Sequence, residues 1–295
     1  MQGLLLINKP EGLTSFGVVA KIKWLLHTKR VGHTGTLDPM ATGVLPILIG
    51  RDTVLCSYLL DADKEYIADV KLGITTDTLD KTGTVLSKSD VNIKREELEN
   101  VLSGFLGKQL QVPPMYSAIK KDGVRLYDFA REGKEIEREP REIEIFELEL
   151  LDFKDDEFKI RVLCSKGTYI RSLADDIGKK LGTGAVLTSL KRTKTAGFKI
   201  EECVDLENLT PENTADFLKS AEIAVLNYPP LNISEKQALR FTNGGELSLE
   251  RLHFKTCPKN GELYRVKNGE KFLGLGEVDF NKSALKIKCL TITRG

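Results

Sequence analysis

Gly32-His33-Thr34-Gly35-Thr36-Leu37-Asp38-Pro39-Met40-Ala41-Thr42-Gly43-Val44-Leu45-Pro46-Ile47 is the segment on which the reading of this chain turns. Three glycines and two prolines break any regular element, so it is a shaped loop running into a strand. Pro39 pushes the backbone of Asp38 toward extended conformations. Asp38 is the one acid between Glu11 and Asp52, a stretch that also carries Lys21, Lys23, Lys29, Arg30 and Arg51. A lone carboxylate among bases and apolar side chains is held rather than merely solvated. The plain alternative is an aspartate capping a turn.

Outward from the loop, periodicity gives the elements. Phe16, Val19, Ile22, Leu25 and Leu26 have helical spacing over residues 15–26, with Thr14 or Ser15 as the cap. Residues 93–106 repeat the pattern, and residues 171–181 form a third helix closed by Gly182. Residues 158–164 alternate as a strand. Residues 143–151 alternate too, but the phase slips between Ile145 and Phe146, which predicts a bulge. Strands and helices intermix without a strand–helix repeat. The expected class is α+β, a mixed, largely antiparallel sheet with flanking helices. Past Tyr228-Pro229-Pro230, short strands over 262–266, 271–279 and 284–293 predict a small C-terminal β-barrel. The expected division is 1–228 and 229–295.

The chain has 295 residues, 41% hydrophobic and 29% charged, enough to bury a core without staples. No run approaches the ~18 apolar residues of a membrane span. The N-terminal apolar run lacks a basic flank and a cleavage site, so it reads as a buried strand and the protein as cytoplasmic, with no membrane partner. Five scattered cysteines, without a Cys-x-x-Cys pair, read as small buried hydrophobes rather than disulfides or a zinc site.

Net charge is only +1, but charge is sorted. Residues 159–199 hold ten bases against two acids, while residues 135–157 hold eleven acids against three bases. Together with the basic stretch around Asp38, this predicts a surface for a polyanion such as nucleic acid.

The loop around Asp38 resembles the catalytic loop of TruB-type tRNA pseudouridine synthases. Asn8-Lys9-Pro10-Glu11-Gly12-Leu13-Thr14-Ser15 is similar to the N-terminal motif of that family, and Lys64-Glu65-Tyr66 followed by Leu72-Gly73 to its second motif. Val112-Pro113-Pro114-Met115-Tyr116-Ser117-Ala118-Ile119-Lys120 and Ser165-Lys166-Gly167-Thr168-Tyr169-Ile170-Arg171-Ser172-Leu173 resemble two more. The likeness covers residues 1–200 in order and spacing. The C-terminal strands resemble, with weaker motifs, a PUA-like RNA-binding domain. The resemblance implies the pseudouridine synthase fold and isomerisation of uridine 55 in the T loop of tRNA. It implies no cofactor and no metal, since nothing is added or lost, and no obligate protein partner.

It also implies roles. Asp38 matches the essential aspartate, acting as nucleophile or as the base that removes a sugar proton; sequence leaves both routes open. Arg171 matches its partner. Tyr66 would stack on the target base, Tyr169 and Leu190 would wall its pocket, and His33 would occupy the space left by a flipped base. Lys9 and Lys64 are expected as support or backbone contacts. Residues 108–135, mixing Lys120, Lys121, Arg125 and Arg131 with Tyr116, Tyr127 and Phe129, match an insertion that clasps the T loop.

Two rivals belong beside this reading. Asp80-Lys81-Thr82-Gly83-Thr84 has the form of the phosphorylated aspartate motif of P-type pumps, but without a membrane span it reads as a turn between strands. An RNA-binding protein without turnover would share the basic blocks and the barrel, but would not require Asp38 with Arg171.

Overall fold

The computed structural model describes residues 1–121, 123–134 and 136–292; the expected strand end at Thr293 lies outside them, as does the side chain of Arg125. The principal elements are β1 (Gly3–Lys9), α1 (Ser15–Leu25), β2 (Thr42–Ile49), β3 (Lys64–Leu72), α2 (Arg95–Ser103), β4 (Gly107–Gln111), β5 (Arg141–Lys154), β6 (Glu157–Cys164), α3 (Ile170–Lys180) and β7 (Ala185–Thr195). α4 (Glu235–Thr242), β8 (Leu263–Asn268), β9 (Lys271–Asp279) and β10 (Ala284–Leu290) follow. The main sheet runs β1-β2-β7-β3-β6-β5-β4, with Val204–Asp205 beyond β1. β7 runs parallel to β2, whereas β3, β6, β5 and β4 are joined by antiparallel ladders. The sheet is therefore mixed and largely antiparallel. β5 shifts register between Ile145 and Glu147, where the apolar phase slips.

Helices α1, α2 and α3 pack on this sheet. Thr14 caps α1, its hydroxyl accepting from the Gly17 N–H at 2.9 Å. α1 buries Val18, Val19, Ile22 and Leu25 against Leu5, Ile7, Leu45 and Ile47 of β1 and β2. α2 and α3 bury Leu98, Leu102, Leu173 and Ile177 against Val70, Ile160 and Leu187. The opposite face of β1 and β2, with Leu4, Leu6 and Leu48, packs on Ala224, Val225 and Leu275. Leu275 belongs to the C-terminal sheet, a curled half-barrel of five strands with its own core around Phe241, Tyr264 and Val266. At this seam Glu222 meets Arg265 at 2.6 Å and Lys267 at 3.2 Å.

Two sequence expectations are corrected. Cys257 is exposed rather than buried, and only Cys164 is fully enclosed. The basic block 159–199 is not a bare surface. β5 and β6 are hydrogen-bonded neighbours, so the acidic block lies beside it: Arg161 reaches Glu65, Glu147 and Glu149, and Lys159 reaches Asp69.

Asp52, after β2, is buried, and burial pushes its carboxyl up to about 6, partly offset by the Gly3 N–H. A proton held more tightly in the folded chain favours folding at low pH, and that stability is lost as pH rises from 3.8 through 6. Asp52→Asn is therefore expected to raise unfolding stability at pH 7 by ~2 kcal/mol, with little gain at pH 4. Urea denaturation at the two pH values checks it; an equal effect at both would refute the assignment.

Candidate active site

Asp38 sits on a loop that cannot be held by ladder bonds, so buried side chains hold it. The Ser15 hydroxyl, at the start of α1, accepts from the Leu37 N–H at 2.8 Å and donates to the Leu37 carbonyl at 3.2 Å. Lys9 is completely buried, and its Nζ donates to the carbonyls of Pro10, Leu13 and Pro39 at 2.8, 2.6 and 3.3 Å. Arg192 of β7 donates from Nε to the Val44 carbonyl at 2.8 Å and from Nη2 to that of Gly35 at 3.2 Å. Gly43 has φ +106 and lies so close to the Arg192 backbone that any Cβ would collide with its carbonyl oxygen. Loop and β7 are thus locked together.

Arg171 enters from the first turn of α3, 133 positions along the chain from Asp38, and its Nε stands 2.9 Å from Oδ2 of Asp38. The arginine side chain is 5% exposed and the aspartate 34%, so the ion pair lies with its carboxylate facing a cavity. Arg171 Nη1 donates to the Thr78 carbonyl at 3.2 Å and faces Asp80 Oδ2 at 3.6 Å; Nη2 donates to the Tyr116 carbonyl at 2.8 Å. Asp80 is itself fixed by the Thr78 hydroxyl at 2.9 Å and the Thr82 N–H at 3.0 Å. One guanidinium therefore spans two carboxylates and two carbonyls, a set a fork of five donors can serve.

The cavity above Asp38 has a volume of about 370 Å³ and is walled by Tyr66, Tyr169, Leu190, Lys64, Arg171 and Arg192. Tyr66 points in from β3 and Leu190 from β7, neighbouring strands paired through Leu190↔Ala68. Tyr169 precedes α3, its N–H donating to Gln111 Oε1 at 2.8 Å. The far wall is Tyr116, Ser117 and Tyr127, the latter edge-on to Tyr116 at 6.2 Å, with the Arg131 guanidinium 4.5 Å over its ring.

Burial raises the proton affinity of Asp38 above the ordinary carboxylate range; Arg171 opposes this, Asp80 adds to it and Lys9 opposes it. Burial brings Lys9 down to about 8, with Asp38 and Glu11 pulling the other way. His33 is lowered by burial and then by Arg192, so its ring is neutral at pH 7. Burial also raises the phenol of Tyr66 and lowers Lys64.

Asp38, Arg171, Tyr66, Tyr169, Leu190 and Lys64 thus converge on one cavity. His33 stands outside its wall, its Nδ1 accepting from the Gly35 N–H at 3.3 Å. Lys9 has no exposed surface; it braces the loop and cannot touch a substrate. Sequence reasoning gave Arg192 and Gln111 no place at the site and read Asp80 only as part of a turn. The 80–84 segment does make the expected turn, between Ile74–Thr76 and Val85–Lys88, but its aspartate faces inward. Among the described residues no group of three or more His, Cys, Asp or Glu is placed to hold a metal ion, and no helix is long and apolar enough to cross a membrane.

A family model described as the TruB family pseudouridylate synthase N-terminal domain matches residues 23–170. A second, described as the tRNA pseudouridylate synthase B C-terminal domain, matches residues 171–223, ending ahead of the C-terminal sheet. A Clostridium tetani protein named tRNA pseudouridine synthase B is 46% identical over 278 residues, 94% of this chain and 96% of its own length. A Francisella philomiragia protein of the same name is 47% identical over 287 residues, 96% and 93% of the two chains. Among solved structures, one chain in the crystal structure of a Cbf5-Nop10-Gar1 complex superposes with a TM-score of 0.76 at 27% identity, covering 99% of this chain and 85% of that one.

Proposed function

The chain belongs to the TruB family of pseudouridylate synthases, and on that premise we propose that it isomerises uridine 55 in the T loop of tRNA to pseudouridine, with Asp38 as the essential carboxylate. The observation that carries the proposal is the Asp38–Arg171 pair at 2.9 Å on the floor of a cavity walled by four tyrosines and Leu190. An RNA-binding protein without turnover has no use for a part-exposed carboxylate held in that way.

In this reading the target uridine leaves its stack and enters the cavity, at a cost of a few kcal/mol, with its base against Tyr66. Tyr169 and Leu190 fix the plane of the uracil. Asp38, ionised, acts at C1′ or takes a sugar proton; either breaks the C1′–N1 bond. The uracil turns and C5 bonds to C1′. C5 gives up its proton and N1 gains one, so atoms balance without donor or cofactor. Residues 108–135 clasp the T loop, His33 fills the gap left by the flipped base, and residues 229–295 add a PUA-like RNA contact. The reaction takes place in the cytoplasm.

The experiment is to incubate unmodified tRNA with the purified protein and map pseudouridine by chemical sequencing. A single new site at position 55 is expected; no pseudouridine would overturn the reading.

The second carboxylate gives a pH prediction. Asp80 raises the proton affinity of Asp38 by repulsion. Asp80→Asn removes that charge, so Asp38 stays ionised to lower pH. The acid limb of kcat/KM is expected to move to lower pH than in the wild type; an unmoved limb would mean that it does not report Asp38.

A further inference from the structure

The outer face of α1 is unexplained by the fold. Phe16 is 70% exposed and Trp24 63%, with exposed Ala20 midway between them. Positions four and eight apart share one helix face, so the two rings form a single stripe ~12 Å long. The inner face of the same helix is fully committed, with Val18, Val19, Ile22 and Leu25 at 0–3% exposure. Two large aromatics left in water on a helix that already buries a complete apolar face mark a contact surface.

Charge says what covers it. Lys21 and Lys23 lie on α1, and Lys29 and Arg30 follow it; Lys23 Nζ is 5.9 Å over the Phe16 ring. Among the described residues none of these four bases has an acidic partner, in contrast to Arg161 with its three glutamates. Position links the face to the cavity. Ser15, adjacent to Phe16, holds Leu37 next to Asp38, and the chain leaving α1 leads directly to His33. Bases interleaved with exposed aromatics suit unpaired nucleotides, whose bases stack while phosphates meet the cations.

The geometry points to the outer face of α1 as a second RNA-binding surface, on which Trp24 and Phe16 stack with unpaired bases of the substrate beside the nucleotide in the cavity. This rests on the reading of the chain as an RNA-modifying enzyme and extends its RNA contacts along the ~12 Å of α1 from Phe16 to Trp24.

Trp24 is the sole tryptophan of the chain, so its emission reports this face alone. The turnover-deficient Asp38→Asn protein is titrated with unmodified tRNA. Saturable quenching is expected, with a midpoint equal to the Kd from filter binding; unchanged emission at saturating tRNA would overturn the proposal. Trp24→Phe should keep the affinity within about threefold, whereas Trp24→Leu and Trp24→Ala should weaken it about tenfold or more. Leucine performing as well as tryptophan would overturn stacking. A concentration-dependent dimer dispersed by Trp24→Ala, with tRNA affinity untouched, would assign the face to a second copy of the chain instead. If the wild type forms no pseudouridine yet Trp24 is quenched, the surface stands and the functional reading falls; the converse result removes only the surface.

Discussion

Asp38→Asn is expected to bind tRNA within about threefold of the wild type and to form pseudouridine at least ~10⁴-fold more slowly. The substitution keeps the size of the side chain and removes its charge. An amide can neither attack C1′ nor take a sugar proton, so both chemical routes close together. The fold should survive. Losing one partner of a buried ion pair ordinarily costs ~3–5 kcal/mol, because a charge is left alone. Here Arg171 keeps Asp80 at 3.6 Å and the carbonyls of Thr78 and Tyr116 at 3.2 and 2.8 Å. Binding should survive because the aromatic and basic groups around the cavity are untouched. Single-turnover assays with filter binding in parallel check both halves. Normal turnover by the variant would remove Asp38 from the chemistry.

Arg171→Lys is the second large effect. Lysine keeps the charge and loses the fork. Arg171 makes its contacts in divergent directions, toward Asp38 at 2.9 Å on one side and toward Asp80, Thr78 and Tyr116 on the other. An ammonium on a flexible stem cannot span them. Asp38 is then no longer aimed, and turnover should fall by ~10²–10³-fold, the scale of a misplaced catalytic group. Affinity for tRNA should change little, since an arginine 5% exposed has no reach to a phosphate. Equal losses in turnover and affinity would indicate a phosphate contact instead. Stability should drop by ~1–3 kcal/mol through the carbonyls left without a donor, which urea denaturation reads separately.

The balance between what was legible in the sequence and what was not has a physical pattern. Local rules did well where the signal is local. Thr14 caps α1, Gly182 closes α3 with φ +75, and the phase slip at Ile145 is a register shift in β5. The mixed sheet followed from the lack of a strand–helix repeat. Asp38 and Arg171 were paired only through a resemblance, because 133 positions separate them and no periodicity connects them. What failed was the reading of charge. Arg192 counts as a surface base of the 159–199 block, yet it is buried and satisfied by backbone carbonyls rather than by acids. Carbonyl acceptors belong to every residue, so sequence carries no mark of them. Asp80 is read only as a turn residue for the complementary reason: a turn aspartate bonding its own backbone neighbours looks the same whether it faces water or Arg171. The block 159–199 misled because sheet pairing, which brings Glu147 and Glu149 to Arg161, is a long-range fact.

The account requires that one nucleotide leave its stack and present C1′ to Asp38. The most direct measurement is a crystal structure of the Asp38→Asn protein bound to an unmodified T stem-loop RNA. The target uracil should lie against Tyr66, with its C1′ within ~3.5 Å of the residue 38 side chain. A uridine still stacked in the RNA, with the cavity empty above Arg171, would contradict it.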